Sequence, residues 1–106
     1  MLLRIAISQF RPDKGDLPRT LDRFGEVMAA VKALDTPPDV VVFPETALTG
    51  YFLEGGVREH AVGANALLSE LAERYREAPG PDRPVDIAIG FFEEFEHRIY
   101  NSTLYA

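Results

Sequence analysis

The sequence predicts an α/β domain in which parallel strands alternate with helices. Three patterns favour this class: a period-two strand pattern at residues 3–9, a helical pattern at residues 17–34, and a continuous apolar run at residues 40–43. A strand, a helix and a buried strand within about 40 residues form a βαβ unit, whose two strands are parallel. At 106 residues, the chain has the length of one domain with one core.

The first strand and the first helix are predicted from the spacing of their apolar residues. Large apolar residues alternate with small or polar ones over residues 3–9. The helix over residues 17–34 follows Asp16, a suitable N-cap, and carries Pro18 in its first turn. Residues 35–38, with two prolines, end it. Its apolar residues recur every three or four positions and predict one buried stripe: Leu21, Phe24, Val27, Val31 and Leu34.

The second half of the chain is predicted to add one helix and a β-hairpin. The helix spans residues 65–77, and a Pro- and Gly-rich connection at residues 79–84 must then lie at the surface. Strands are predicted over residues 85–92 and 99–106. The segment between them, residues 93–98, is polar and short, so we expect a solvated turn and antiparallel pairing.

A single carboxylate, that of Glu45, follows the apolar run at residues 40–43. Such a run, apolar on both faces, is typical of a strand buried between two layers. Pro44 ends the strand because it has no N–H for the ladder. In open α/β sheets, ligands bind beyond the carboxyl ends of the strands. We therefore expect Glu45 at the binding edge, with Tyr51 and Phe52 in the adjoining pocket wall.

Composition excludes several classes of function. The 17 acidic and 11 basic residues give a net charge of −6, which argues against a nucleic-acid or anionic-membrane surface. No apolar run approaches the ~20 residues of a membrane span, so we expect a cytoplasmic protein. The chain has no cysteine and only two widely separated histidines, which predicts neither a disulfide nor a metal site. Gly55-Gly56 lacks the pattern of a phosphate loop, so we expect no cofactor.

The segment Phe43-Pro44-Glu45-Thr46-Ala47-Leu48-Thr49-Gly50-Tyr51 resembles the glutamate motif of the nitrilase, or carbon–nitrogen hydrolase, superfamily. Members of that superfamily cleave nitriles, amides and carbamoyl groups. Residues 4–10 are similar to the family's first strand, and residues 89–94 with Tyr100-Asn101-Ser102 are similar to its later hairpin. The resemblance covers essentially the whole chain and implies the N-terminal half of a four-layer α-β-β-α sandwich. Because the last strand runs to Ala106, we expect residues 1–106 to be a truncated part of that domain.

The resemblance implies a hydrolase in which Glu45 is the general base. The family also uses a lysine and a cysteine that lie C-terminal to this region, whereas Lys14 and Lys32 both precede Glu45. The implied partner is a small-molecule amide or nitrile, with Tyr51 and Phe52 as substrate-binding residues, and the full-length form is expected to be a homo-oligomer. One alternative is the glutaminase domain of a glutamine-dependent NAD synthetase, because residues 48–51 of this chain also resemble a loop of that domain. Another is a non-catalytic α/β module or an inactive fragment.

Each candidate residue also has a purely structural interpretation. Glu45 could cap a helix or pair with a basic residue at the strand end. Tyr51 and Phe52 could equally belong to the core. We expect Gln9 and Asn101 to be buried amides that satisfy backbone groups at strand ends. A surface position is expected for His60, and a hinge or turn for Gly55-Gly56.

Overall fold

The computed structural model describes residues 2–50 and 56–106. Within these ranges the order of elements predicted from the sequence is confirmed. A short 3-10 turn at Arg58–His60 lies between the second strand and the second helix. The elements are β1 (Ile5–Ile7), α1 (Leu17–Lys32), β2 (Val40–Val42), α2 (Ala64–Glu77), β3 (Asp86–Phe95) and β4 (Arg98–Tyr105).

The four strands form one sheet in the order β1-β2-β3-β4. β1 pairs with β2 and β2 pairs with β3 in parallel, with Ala6, Val41 and Ile87 side by side in register. β3 and β4 pair antiparallel, as the short polar segment between them predicts. The βαβ unit and the terminal hairpin are therefore confirmed. Because β1, β2 and β3 run in one direction, their carboxyl ends meet at one edge of the sheet.

The helix α1 begins where the sequence predicts it. Asp16 accepts a hydrogen bond from the Arg19 N–H at 3.1 Å, and Pro18 occupies the first turn, where no intrahelical donor is needed. The helix ends at Lys32, two residues before the predicted end. Leu34 lies beyond it and is 45% exposed, so its assignment to the buried stripe was wrong. Met28, one position after Val27, is buried instead.

The core lies between the two helices and one face of the sheet. Phe24 and Met28 of α1 and Leu67 and Leu71 of α2 are buried. They share one cluster with buried residues of β2 and β3: Val41, Ile87, Ile89 and Phe91. No helix in the described part of the chain is long and apolar enough to cross a membrane.

The opposite face of the sheet is open. Ile5 and Ile7 of β1 point to this face and are 55% and 78% exposed, and Val42 beside them is half-buried. Among the described residues no second layer covers them. The strand at residues 40–43 was expected to be buried on both faces, but only the face with Val41 is buried. This uncovered face follows from the alternation of side chains along each strand, which sends every second residue away from the helices.

The hairpin turn lies within the predicted segment, residues 93–98, and is shorter than predicted. β3 runs on to Phe95 and β4 begins at Arg98, so the turn contains only Glu96 and His97. Both have positive φ angles, of 49° and 65°, as the tight turns that match the twist of paired strands require. Glu93 lies within β3, where it accepts a hydrogen bond from the Ser102 hydroxyl at 2.8 Å. Glu94 also lies in β3, so the assignment of Glu93 and Glu94 to the turn was wrong, whereas that of Glu96 was right.

Lys32, at the end of α1, is a buried cation with a complete set of partners. Its side chain is 1% exposed, and its ammonium group donates to the carbonyls of Tyr75 and Ala78 at 2.7 and 2.9 Å. It also contacts the Asp82 carboxylate at 3.3 Å and lies 4.2 Å from the centre of the Tyr75 ring. Both carbonyls lie at the end of α2, where helical donors run out, although the Tyr75 carbonyl also accepts a longer bond from the Ala78 N–H at 3.3 Å. Lys32 thus fixes α2 and the following connection to α1.

Candidate active site

Glu45 lies just past the carboxyl end of β2, where the sequence places it. The residue two positions before it, Phe43, is buried and donates its N–H to the Ala88 carbonyl of β3 at 2.8 Å. The Phe43 ring packs against Phe10 and Phe24, with ring centres 5.5 and 5.3 Å apart. This anchor fixes the chain immediately before Pro44 and Glu45. The Glu45 side chain itself is exposed at the edge of the sheet.

The turn after Glu45 is tight and buried. Thr46 accepts hydrogen bonds at its carbonyl from the N–H groups of Thr49 and Gly50, at 3.2 and 2.8 Å. Residues 46–49 are all buried. Thr46 has a φ of 47°, in the left-handed region that β-branched residues rarely adopt. Its hydroxyl is buried and finds no hydrogen-bond partner in the part of the chain that the structure describes. An exposed carboxylate is thus held on a rigid, strained turn.

Gly90, inside β3, lies directly against this turn. A Cβ at Gly90 would lie 2.5 Å from the Thr46 nitrogen and 2.8 Å from both the Glu45 Cα and the Pro44 carbonyl oxygen. These distances are too short for any side chain, so only glycine lets the backbone of the turn contact the sheet. Glycine inside a strand is the usual mark of such a close approach.

Asn101, in the middle of β4, contacts the Glu45 side chain. Its Nδ2 donates a hydrogen bond to Glu45 Oε1 at 2.5 Å. The register pairs Asn101 with Phe92, two residues beyond Gly90, so the amide and the glycine lie on the same face of the hairpin. Asn101 is exposed, and its expected role as a buried amide at a strand end was wrong. Gln9 is exposed as well, so the same expectation fails there.

The other residues singled out in the sequence have no described contact with Glu45 or Asn101. Tyr51, Phe52 and Gly55 lie outside the described residues, and their predicted roles stay predictions. Gly56 has a φ of +96°, in the left-handed region that favours glycine. His60 is half-buried rather than fully at the surface, and it lines a cavity of about 330 Å³ with Thr49 and the first residues of α1. In the described ranges, no three acidic or histidine side chains are grouped as metal ligands.

Two hydrogen-bonded pairs away from Glu45 have shifted pKa values. The Arg23 guanidinium donates to the Asp13 carboxylate at 2.7 Å, which lowers the pKa of Asp13 in the β1–α1 connection. The Tyr105 hydroxyl donates to Asp86 at 2.9 Å, which raises the pKa of Tyr105. Asp86 begins β3, so this second pair lies at the amino edge of the sheet, opposite the edge that carries Glu45.

Known proteins confirm the resemblance read from the motif. The family model described as carbon–nitrogen hydrolase matches residues 4–105. The chain belongs to the carbon–nitrogen hydrolase family. No curated protein sequence matches it.

Solved structures with the same fold carry the description N-terminal amidase. One is 25% identical in sequence to this carbon–nitrogen hydrolase chain, with a TM-score of 0.70, and the match covers 97% of this chain and 24% of that one. An N-terminal amidase with an Asn-Glu-Ala peptide is 25% identical, with a TM-score of 0.71 and coverage of 97% and 25%. The chain thus spans about a quarter of the length of these structures. It has the fold of a part of the nitrilase-type α-β-β-α sandwich.

Three features of the site were missed by sequence reasoning. Gly90 interrupts an apolar strand pattern, which is a local signal for close backbone contact that could have been used. Asn101 was recognised as part of the family hairpin, but its contact with Glu45 joins residues 56 positions apart. The left-handed conformation of Thr46 has no signal at all, because threonine is not a residue that favours it.

Proposed function

We propose that residues 1–106 are the N-terminal part of a carbon–nitrogen hydrolase domain, and that the complete protein hydrolyses a non-peptide C–N bond with Glu45 as general base. The observation that carries this proposal is the position of Glu45. Within the family's motif, it is the exposed carboxylate at the carboxyl end of a parallel strand, on a buried turn. That edge is where open α/β sheets bind ligands.

The reaction proposed for the complete protein uses a cysteine and a lysine from chain beyond these residues. Glu45 takes the proton of the cysteine thiol, and the thiolate forms a bond to the carbon of the amide. The C–N bond breaks as the protonated glutamate gives its proton to the leaving nitrogen, which leaves a thioester and ammonia or an amine. Water then adds to the thioester carbon while Glu45 again takes a proton, and the returning thiol receives it. The lysine cation stabilises the oxyanion at each addition.

The uncovered face of the sheet supports the proposal that the domain continues. Leu3, Ile5 and Ile7 form an exposed apolar strip on β1 and the residues before it. An apolar sheet face of this kind is stabilised when a second layer packs on it. In a four-layer sandwich the second sheet supplies that layer, and the similar solved structures are about four times as long as this chain. We propose that the rest of the domain covers this face.

A carboxamide is the substrate class that we propose first. The similar solved structures are described as N-terminal amidases, one of them with an Asn-Glu-Ala peptide. The substrate-binding residues proposed from the sequence, Tyr51 and Phe52, follow the turn that carries Glu45. Their side chains would therefore border a substrate whose amide carbon lies near that carboxylate.

The test begins with the coding sequence and continues with the complete protein. The proposal requires a lysine and then a cysteine downstream of residue 106. Their absence would favour the alternative of a non-catalytic α/β module. Ammonia release is then measured with the Asn-Glu-Ala peptide, glutamine, an aliphatic nitrile and an N-carbamoyl amino acid. Release from the peptide amide or another small amide is the expected result. Release from glutamine alone, with a synthetase domain encoded downstream, would favour the glutaminase alternative. No release from any of them would contradict the proposal.

A further inference from the structure

The Glu45 carboxylate and the Asn101 amide form a direct pair across two elements. Asn101 Nδ2 lies 2.5 Å from Glu45 Oε1. We propose that Asn101 is a positioning residue: it holds one oxygen of the Glu45 carboxylate so that the other is presented to the reacting proton. This inference rests on the proposed function, since it assigns Asn101 a role only if Glu45 is the base.

The carboxylate needs a partner if it is to keep one orientation. In the described part of the chain, Asn101 is the side chain that donates to Glu45. Glu45 is exposed, and an exposed glutamate has several staggered rotamers available. A base must lie within hydrogen-bond reach of the proton that it takes. One bond to Oε1 fixes the plane of the carboxylate and leaves Oε2 available.

Asn101 is well placed for this task because its own backbone is fixed. It lies within β4, paired with Phe92 of β3. The same strand, β3, carries Gly90, which contacts the backbone of Glu45 and Thr46. The hairpin therefore positions both the backbone and the side chain of Glu45. β3 fixes the distance of the Glu45 Cα from the sheet, and β4 fixes the direction of the Glu45 carboxylate.

The amide suits the role better than a charged donor. It donates a hydrogen bond to the carboxylate but carries no charge, and its N–H protons are not acidic enough to be transferred to the carboxylate. A lysine or arginine at this position would form a tight ion pair with the base instead. Asn101 is also exposed, so removing its amide leaves no buried polar group without a partner. A loss of function without a loss of stability is therefore the expected signature.

The test is a double-mutant cycle in the complete protein. Asn101→Leu keeps the size of the side chain without the donor, and Asn101→Asp replaces the donor with a second acceptor that repels Glu45. Each is combined with Glu45→Gln. The chain offers a matched control, Asn65→Asp, because Asn65 is its only other asparagine and lies exposed at the start of α2. The readouts are kcat and KM for ammonia release and the rate of thiol alkylation by iodoacetamide, which needs no substrate.

Asn101→Leu should lower kcat and the alkylation rate by about 10-fold or more, in the range that small displacements of a catalytic group produce. Asn101→Asp should lower them further, while KM stays within about 2-fold, because a positioning role gives Asn101 no part in substrate binding. In the Glu45→Gln background, Asn101→Leu should have no further effect, because the group that it positions is already lost. Asn65→Asp should match the unsubstituted protein in every measurement.

Two outcomes would overturn the inference and leave the proposed function standing. One is an Asn101→Leu variant with normal kcat and alkylation beside an inactive Glu45→Gln variant. The other is an equal loss from Asn101→Leu in both backgrounds, which would indicate a structural role. If Glu45→Gln itself changes neither rate, the proposed function fails, and this inference fails with it.

Discussion

Gly90 contacts the backbone of Thr46 so closely that a Cβ at residue 90 would lie 2.5 Å from the Thr46 nitrogen. This contact joins the middle of β3 to the turn that begins at Glu45. The turn is therefore supported by the sheet itself and not by side chains that could shift. Any residue with a side chain at position 90 must move either the strand or the turn.

Gly90→Ala should destabilise the protein and weaken its activity together. The added methyl group overpacks a rigid contact, which typically costs about 1–3 kcal/mol. Gly25→Ala is the matched control, because Gly25 lies inside α1 and its Cβ would meet nothing closer than 3.8 Å. That change should stabilise the protein by about 0.5–1 kcal/mol, since alanine favours the helix. Urea unfolding of both variants measures the free energy of unfolding, which should fall for Gly90→Ala and rise for Gly25→Ala. Equal effects at the two glycines would contradict the close contact.

Thr46→Val should be neutral or stabilising. The Thr46 hydroxyl is buried without a partner among the described residues, so its removal relieves a desolvation cost of about 1–3 kcal/mol. Thr20→Val provides the contrast. Thr20 is also buried, but its hydroxyl donates to the Asp13 carbonyl and accepts from the Asp13 N–H, both at 3.1 Å. Thermal unfolding should therefore show a lower Tm for Thr20→Val only. A clear loss in Thr46→Val would mean that the hydroxyl has a partner in the complete protein.

Lys32→Met should lower stability and leave turnover per folded molecule unchanged. Methionine fills a similar volume but removes the ammonium that donates to the Tyr75 and Ala78 carbonyls, at a cost of about 1–3 kcal/mol. The Asp82 carboxylate is exposed and contributes little to this loss. Arg76→Met, at an exposed position of α2, should cost less than about 1 kcal/mol. Denaturant titrations of the two variants give the comparison, and similar losses would refute the role assigned to Lys32.

Local patterns predicted most of the fold. Asp16 and Pro18 marked the start of α1, and the apolar run before Pro44 placed Glu45 at the carboxyl end of β2. The hairpin turn at Glu96 and His97 lies inside the predicted segment, residues 93–98. That segment was too long because neither turn residue is a usual turn former that would mark the turn, although both adopt positive φ angles. The helix α1 was predicted two residues too long because Leu34 matches the helical spacing of the apolar residues, although it is exposed.

The contacts of the site could not be read from the chain. Asn101 meets Glu45 only after β2, β3 and β4 have paired in register, and no local pattern specifies that pairing. The contribution of Gly90 likewise depends on which segment packs over it. The expected homo-oligomer, the cytoplasmic location and the binding roles of Tyr51 and Phe52 stay predictions.

The central claim is that Glu45 acts as a base, and Glu45→Gln in the complete protein tests it most directly. Glutamine keeps the size of the side chain and can still pair with Asn101, but it cannot take a proton from a thiol. Turnover in the ammonia assay should fall by at least about 100-fold, the low end for a positioned base. The Tm should match that of Glu73→Gln, an exposed control on α2. A Glu45→Gln protein with a lowered Tm and normal turnover per folded molecule would contradict the account.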